Sequence, residues 1–165
     1  MELPPQRRGV CMARYPILFG LRDVVQGEGY IAGVEVQGRA LMHEERDGYV
    51  WIEGVNPGGF TGTGHSPTEA LEDFRKAYTA ILYDIALEAG SFREFQREVE
   101  ALFANAGELP QREWKEAVQD VRAGRVRADW LGQRAAETPL GIQVAELKKP
   151  SPKENKVEEG SALAA

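Results

Sequence analysis

The glycine-rich run Pro57-Gly58-Gly59-Phe60-Thr61-Gly62-Thr63-Gly64, followed by His65 and Ser66, is the first place in this chain where residue types and spacing suggest chemistry. Free backbone N–H groups ahead of a helix attract anions, so a phosphate cradle is the chemistry to weigh. The pattern argues against a nucleotide. No Lys-Ser or Lys-Thr pair follows the glycines, as a Walker A loop requires. Gly62-x-Gly64 runs on to Pro67, where a dinucleotide fingerprint needs a third small residue. What remains is a turn that reaches a capped helix. His65 stands beside that helix start, where the dipole disfavours an imidazolium. No carboxylate adjoins it, so it reads as a turn residue or a contact for a partner.

His43, Glu44, Glu45 and Asp47 form a second cluster. In a strand His43 and Glu45 share a face, the minimum for shared metal ligation. Two or three exposed ligands make a poor site, and a charged edge strand that resists aggregation accounts for them more simply. No metal, cofactor or catalytic residue is expected. Cys11 has no basic or helical context to activate it and reads as a spectator thiol. Arg122, Arg125, Arg127 and Arg134 gather near Trp130, the one basic stretch with an aromatic beside it and so the candidate for nucleic-acid contact. Glu113, Glu116, Asp120 and Asp129 dilute it, and salt bridges between helices are the competing reading.

Composition narrows the class. The chain has 165 residues and a formal charge of −6, which argues against broad affinity for nucleic acid or membrane surfaces. One cysteine excludes an internal disulfide and fits a reducing compartment. No apolar run approaches the ~20 residues needed to span a bilayer, and the start lacks the apolar core of a signal peptide. A cytoplasmic protein without a membrane partner is expected.

These candidates need elements to position them. Residues 1–15 read as a flexible lead-in. Alternating apolar residues predict strands over 17–22, 30–37 and 39–46, with Gly38 as punctuation. Asp47-Gly48 is a tight-turn signal into a fourth strand over 49–55. Val50 and Ile52 alternate to one side; Tyr49, Trp51 and Glu53 alternate to the other. Ser66, Pro67 and Glu69 mark a helix start with a capping box. That helix runs to about Ala89, with Leu71, Phe74, Tyr78, Ile81, Leu82 and Ile85 on one stripe. Ser91 and Glu94 cap a second helix carrying Phe92, Phe95, Val99, Leu102 and Phe103. A third is predicted over 110–123, with Trp114, Val118 and Val121 inward, and a short fourth over 127–137. From Lys148 onward the composition cannot offset its ordering entropy, and the stretch reads as disordered. The fold expected is α+β: an antiparallel three- to four-stranded sheet with one long helix packed on it over 16–90, then a helical C-terminal extension over 91–137. Tyr49 and Trp51, on the outer face, need cover from the Phe95/Val99/Phe103 stripe or from a partner.

Asp47-Gly48-Tyr49-Val50, Pro57-Gly58-Gly59-Phe60-Thr61 and Gly64-His65-Ser66-Pro67-Thr68-Glu69-Ala70-Leu71, in that order, resemble the small domain of HicB-like antitoxins over roughly Ala40 to Ile85. The family's usual Cys is replaced by Gly59 or Phe60, and its usual Asp by His65. The resemblance implies binding rather than catalysis. The expected partner is a small HicA-type mRNA-cleaving toxin, which the protein masks, and it often also represses its own operon by binding an operator DNA. Tyr49, Trp51, Glu53, Phe60 and His65 become the expected partner-binding residues, and Arg122, Arg125 and Arg127 the candidates for DNA. Net acidity suits a basic, RNA-binding partner. The alternative is a stand-alone HicB-like module that forms homo-oligomers without a toxin.

Overall fold

A computed structural model describes residues 11–127 and 140–148. The fold is α+β. It begins with two very long strands, β1 (Cys11–Gly27) and β2 (Tyr30–Glu45), joined at Glu28-Gly29 and paired antiparallel along their whole length. Strands β3 (Val50–Asn56) and β4 (Gly58–Gly64) extend the sheet in the order β1-β2-β3-β4. Three helices follow: α1 (Pro67–Glu88), α2 (Phe92–Ala104) and α3 (Glu108–Arg122). A last strand, β5 (Gly141–Glu146), returns to pair with the first half of β2, from Ala32 to Gln37, while β3 pairs with the second half.

Strict alternation drives β2 into the centre. Tyr30, Ala32, Val34, Val36, Ala40 and Met42 are buried on the inner face, as a period-2 apolar pattern demands. Helix α1 crosses that face. Its buried residues are Ala70, Phe74, Tyr78, Leu82 and Ala86, one every four residues and so on one stripe of a helix with 3.6 residues per turn. Phe74 meets Phe19 edge-on at 4.9 Å and stacks on Phe60 at 4.6 Å; Phe60 also stacks on Tyr78 at 5.2 Å. Val50 and Ile52 join this core, as their alternation predicts. Helix α2 continues the same layer: Phe95 and Val99 are fully buried, with Tyr30 5.8 Å from Phe95. The Tyr30 hydroxyl donates to the Ala86 and Ala89 carbonyls, closing the end of α1.

Both predicted caps form. Ser66 Oγ accepts from Glu69 N at 3.2 Å, and Ser91 Oγ accepts from Glu94 N at 3.2 Å. In each case the glutamate reaches back to the N–H just before the cap residue, His65 in the first and Gly90 in the second. One open donor of each helix, and the N–H just ahead of each cap residue, are thereby satisfied.

Several expectations are revised. The first strand starts at Cys11, so residues 11–15 are sheet rather than lead-in. Residues 30–46 hold one strand, not two. Gly38 does not punctuate it: a Cβ there would lie 2.3 Å from the Asn56 carbonyl oxygen and 2.5 Å from the Phe19 ring, so the glycine permits close packing inside the strand. The glycine-rich run is itself strand β4, because its glycines let α1 lie against it; a Cβ on Gly62 would sit 2.3 Å from the Phe74 backbone nitrogen. Strand β5 was not anticipated. The fourth helix, residues 1–10 and the tail beyond Lys148 lie outside the described residues.

Candidate functional site

The outer face of the sheet carries the candidate residues in rows. Pairing registers place Arg14 of β1, His43 of β2, Trp51 of β3 and Thr63 of β4 side by side across four strands. The next row is Pro16, Leu41, Glu53 and Thr61. Tyr49 and His65, just beyond the ends of the β3–β4 hairpin, meet edge to face at 6.0 Å.

The rows differ in how much they offer to solvent. His43 is buried at 7% exposure, with its ring stacked flat on Trp51 at 3.7 Å and its Nε2 3.4 Å from Glu53 Oε2. It is therefore an internal support, not the charged edge residue the sequence suggests, because β2 has neighbours on both sides here. Trp51, Glu53 and Tyr49 are half-buried; Thr61, Thr63 and His65 are exposed. Phe60, expected among the partner-binding residues, points the other way into the core at 9% exposure. The parity of β4 decides this: Phe60 and Gly62 face α1, while Thr61 and Thr63 face out.

Helix α3, and not α2, covers the neighbouring part of this face. Ala117 and Trp114 pack on Leu41 and Val55. The Arg39 guanidinium lies 4.8 Å from the Trp114 ring centroid, and its Nε donates to Asn56 Oδ1 at 2.7 Å. Burial lowers the Arg39 pKa. Arg14 reaches α3 through Glu116 at 3.4 Å and Asp120 at 3.9 Å. Of the predicted inward residues on α3, Trp114 and Val118 are half-buried and Val121 is 39% exposed; Ala117 is the residue fully enclosed.

The arginine candidates separate. Arg125 is tied to Asp120, with contacts of 2.8 and 2.9 Å, a local salt bridge at the end of α3 rather than one between helices. Arg122 and Arg127 are exposed. Trp130 and Arg134 lie outside the described residues. No group of three or more His, Cys, Asp or Glu could hold a metal ion among the described residues. No helix among them is long and apolar enough to cross a membrane.

Chemically, this surface can recognise. Tyr49 and Trp51 offer aromatic edges, Thr61 and Thr63 offer hydroxyls, and Glu53 offers a partly exposed carboxylate. The threonines were missed in the sequence, although Phe60-Thr61-Gly62-Thr63 already alternates with period 2. No known protein family, curated protein or solved structure matches this chain.

Proposed function

We propose that this chain is a non-catalytic, HicB-like binding protein that masks a small basic HicA-type toxin. The observation that carries the reading is the outer-face array of Tyr49, Trp51, Glu53, Thr61, Thr63 and His65. It is a half-open aromatic surface with a carboxylate at its centre and a rigid backing of His43 beneath Trp51. Such partly buried aromatics are the side chains that dominate protein–protein affinity. The segment from Ala40 to Ile85 carries the hairpin and the capped helix that the resemblance implies, with strand β4 in place of the implied glycine-rich turn. Its acidity would speed encounter with a basic partner. Repression of its own operon, if it occurs, would draw on Arg122 and Arg127, which remain exposed.

A homo-oligomeric module without a toxin is the second reading. Leu109, 59% exposed, and Val121, 39% exposed, on α3 favour it, since apolar side chains left in water often serve contacts between subunits. Co-expression of this chain with a HicA-type toxin in a growth assay separates the two. Restored growth supports the antitoxin reading. Unrelieved toxicity, with self-association in sedimentation, supports the module.

A further inference from the structure

The geometry points to a two-fold contact between copies of this chain through the solvent face of α1, on the opposite side of the sheet from the outer-face array. Helix α1 buries Ala70, Phe74, Tyr78, Leu82 and Ala86 against the sheet. Its other side carries Lys76, Ala80, Tyr83 and Leu87, all exposed, Tyr83 at 47% and Leu87 at 84%. These four are separated by four, three and four residues. That is the alternating spacing at which the side chains of one helix seat between those of another. The core stripe of α1 is complete without them, so this second row is left for an outside helix.

Charge and size select a second copy as the occupant. Laid antiparallel about a two-fold axis level with Ile81 and Leu82, Ala80 of one copy faces Tyr83 of the other, and Lys76 faces Leu87. Ala80 is small enough to leave room for the Tyr83 ring. With Leu21 and Thr79 it also lines an open groove of about 470 Å³, into which the edge of that ring fits. The Lys76 stem lies along Leu87, and its ammonium comes within one turn of Asp84 on the facing helix. Lys76 and Asp84 are both exposed and form no ion pair among the described residues. A parallel pairing would instead set Lys76 on Lys76 and Tyr83 on Tyr83. The row is thus complementary to its own reverse, as a two-fold contact between identical surfaces requires. The contact leaves Trp51, Thr61 and Thr63 open on the other side of the sheet.

The test is sedimentation equilibrium of the full chain over a series of concentrations, which should show monomer and dimer in exchange. A few turns of helix on each side make a small interface, so the dimer should be weak. Lys76→Glu and Asp84→Lys should each weaken it by roughly tenfold, because two attractions become two repulsions. An equimolar mixture of the two variants should recover it. The new carboxylate of one then meets the new ammonium of the other, while the native Asp84 and Lys76 still meet. Positions 76 and 84 are too far apart along one helix for that recovery to arise within a chain. Leu87→Glu should abolish the dimer with an unchanged thermal melt, since the side chain stands in water. Leu109→Glu should leave the dimer intact, which separates this contact from a homo-oligomer built through α3. The proposal is overturned if the chain sediments as a monomer throughout, or if Leu87→Glu leaves dimerisation unchanged. It is equally overturned if the mixture fails to recover what the single variants lose, or if Leu109→Glu dissolves the dimer.

Discussion

Gly62→Ala should loosen the whole contact between α1 and the sheet. Gly62 sits on the inner face of β4, directly under the helix. A Cβ there would lie 2.3 Å from Phe74 N, 2.5 Å from Phe74 Cα and 2.6 Å from the Ala70 carbonyl oxygen. Each distance is roughly 1 Å short of an ordinary contact. All three atoms are helix backbone, so no rotamer change relieves the clash, and α1 must move outward as a unit. That movement opens the stacked contacts of Phe74 and Tyr78 with Phe60. Overpacking of a core costs about 1–3 kcal/mol, and a backbone-limited case belongs near about 3 kcal/mol. For a chain of this size that corresponds to a melting point lower by roughly 6–12 °C. Gly20→Ala is the matched control. Its nearest neighbour would be the Gln37 side chain at 3.7 Å, so alanine fits and strand propensity improves. Thermal melts followed by circular dichroism compare the two. Equal melting points for Gly62→Ala and the native chain would refute the claim that β4 is glycine-rich in order to seat the helix.

Further expectations concern the caps, the core and the surface. Ser66→Ala and Ser91→Ala should each cost about 1 kcal/mol in denaturant titrations, from loss of the bonds to Glu69 N and Glu94 N. Phe60→Ala should cost about 3–5 kcal/mol, because the ring is core, and a negligible loss would return Phe60 to the surface. Burial raises the Tyr78 phenol above its usual 10.0, and its hydroxyl has no hydrogen-bond partner among the described residues. The unfolded chain sheds this proton near pH 10 while the folded chain keeps it. Stability should therefore hold below pH 10 and fall as pH rises past it. Tyr78→Phe should flatten that alkaline loss without lowering stability at pH 7, as urea midpoints across the pH range would show.

The elements most legible in the sequence were those governed by local chemistry. Ser66-Pro67-x-Glu69 and Ser91-x-x-Glu94 place the starts of α1 and α2 correctly, since a cap is a contact within four residues. The sides taken by Val50, Ile52 and Trp51 also follow from simple alternation. Glycine misled wherever its role was tertiary. Gly38 and Gly62 read as turn residues, yet each is glycine because another chain segment passes too close for a Cβ, something no local pattern reveals. The same blindness turned β4 into a loop and moved Phe60 to the surface. His43 read as exposed because its burial depends on Trp51 across the strand pair and on the neighbouring strand β1. The cover on the outer face comes from α3 through Ala117, a residue too small to stand out in a hydrophobic pattern.

The central claim is that the outer face of β3 and β4 binds another protein. Its most direct measurement is purification of the tagged chain from its native cells, beside a Thr63→Lys variant shown by its melt to be folded. Thr63 is exposed and lies next to Trp51 in the sheet, so lysine there adds bulk and positive charge to the surface without disturbing the core. The account predicts that a small basic protein co-purifies in fixed ratio with the native chain and is lost from the variant. A native chain that purifies with no such protein, or a partner that stays equally bound to Thr63→Lys, would contradict it.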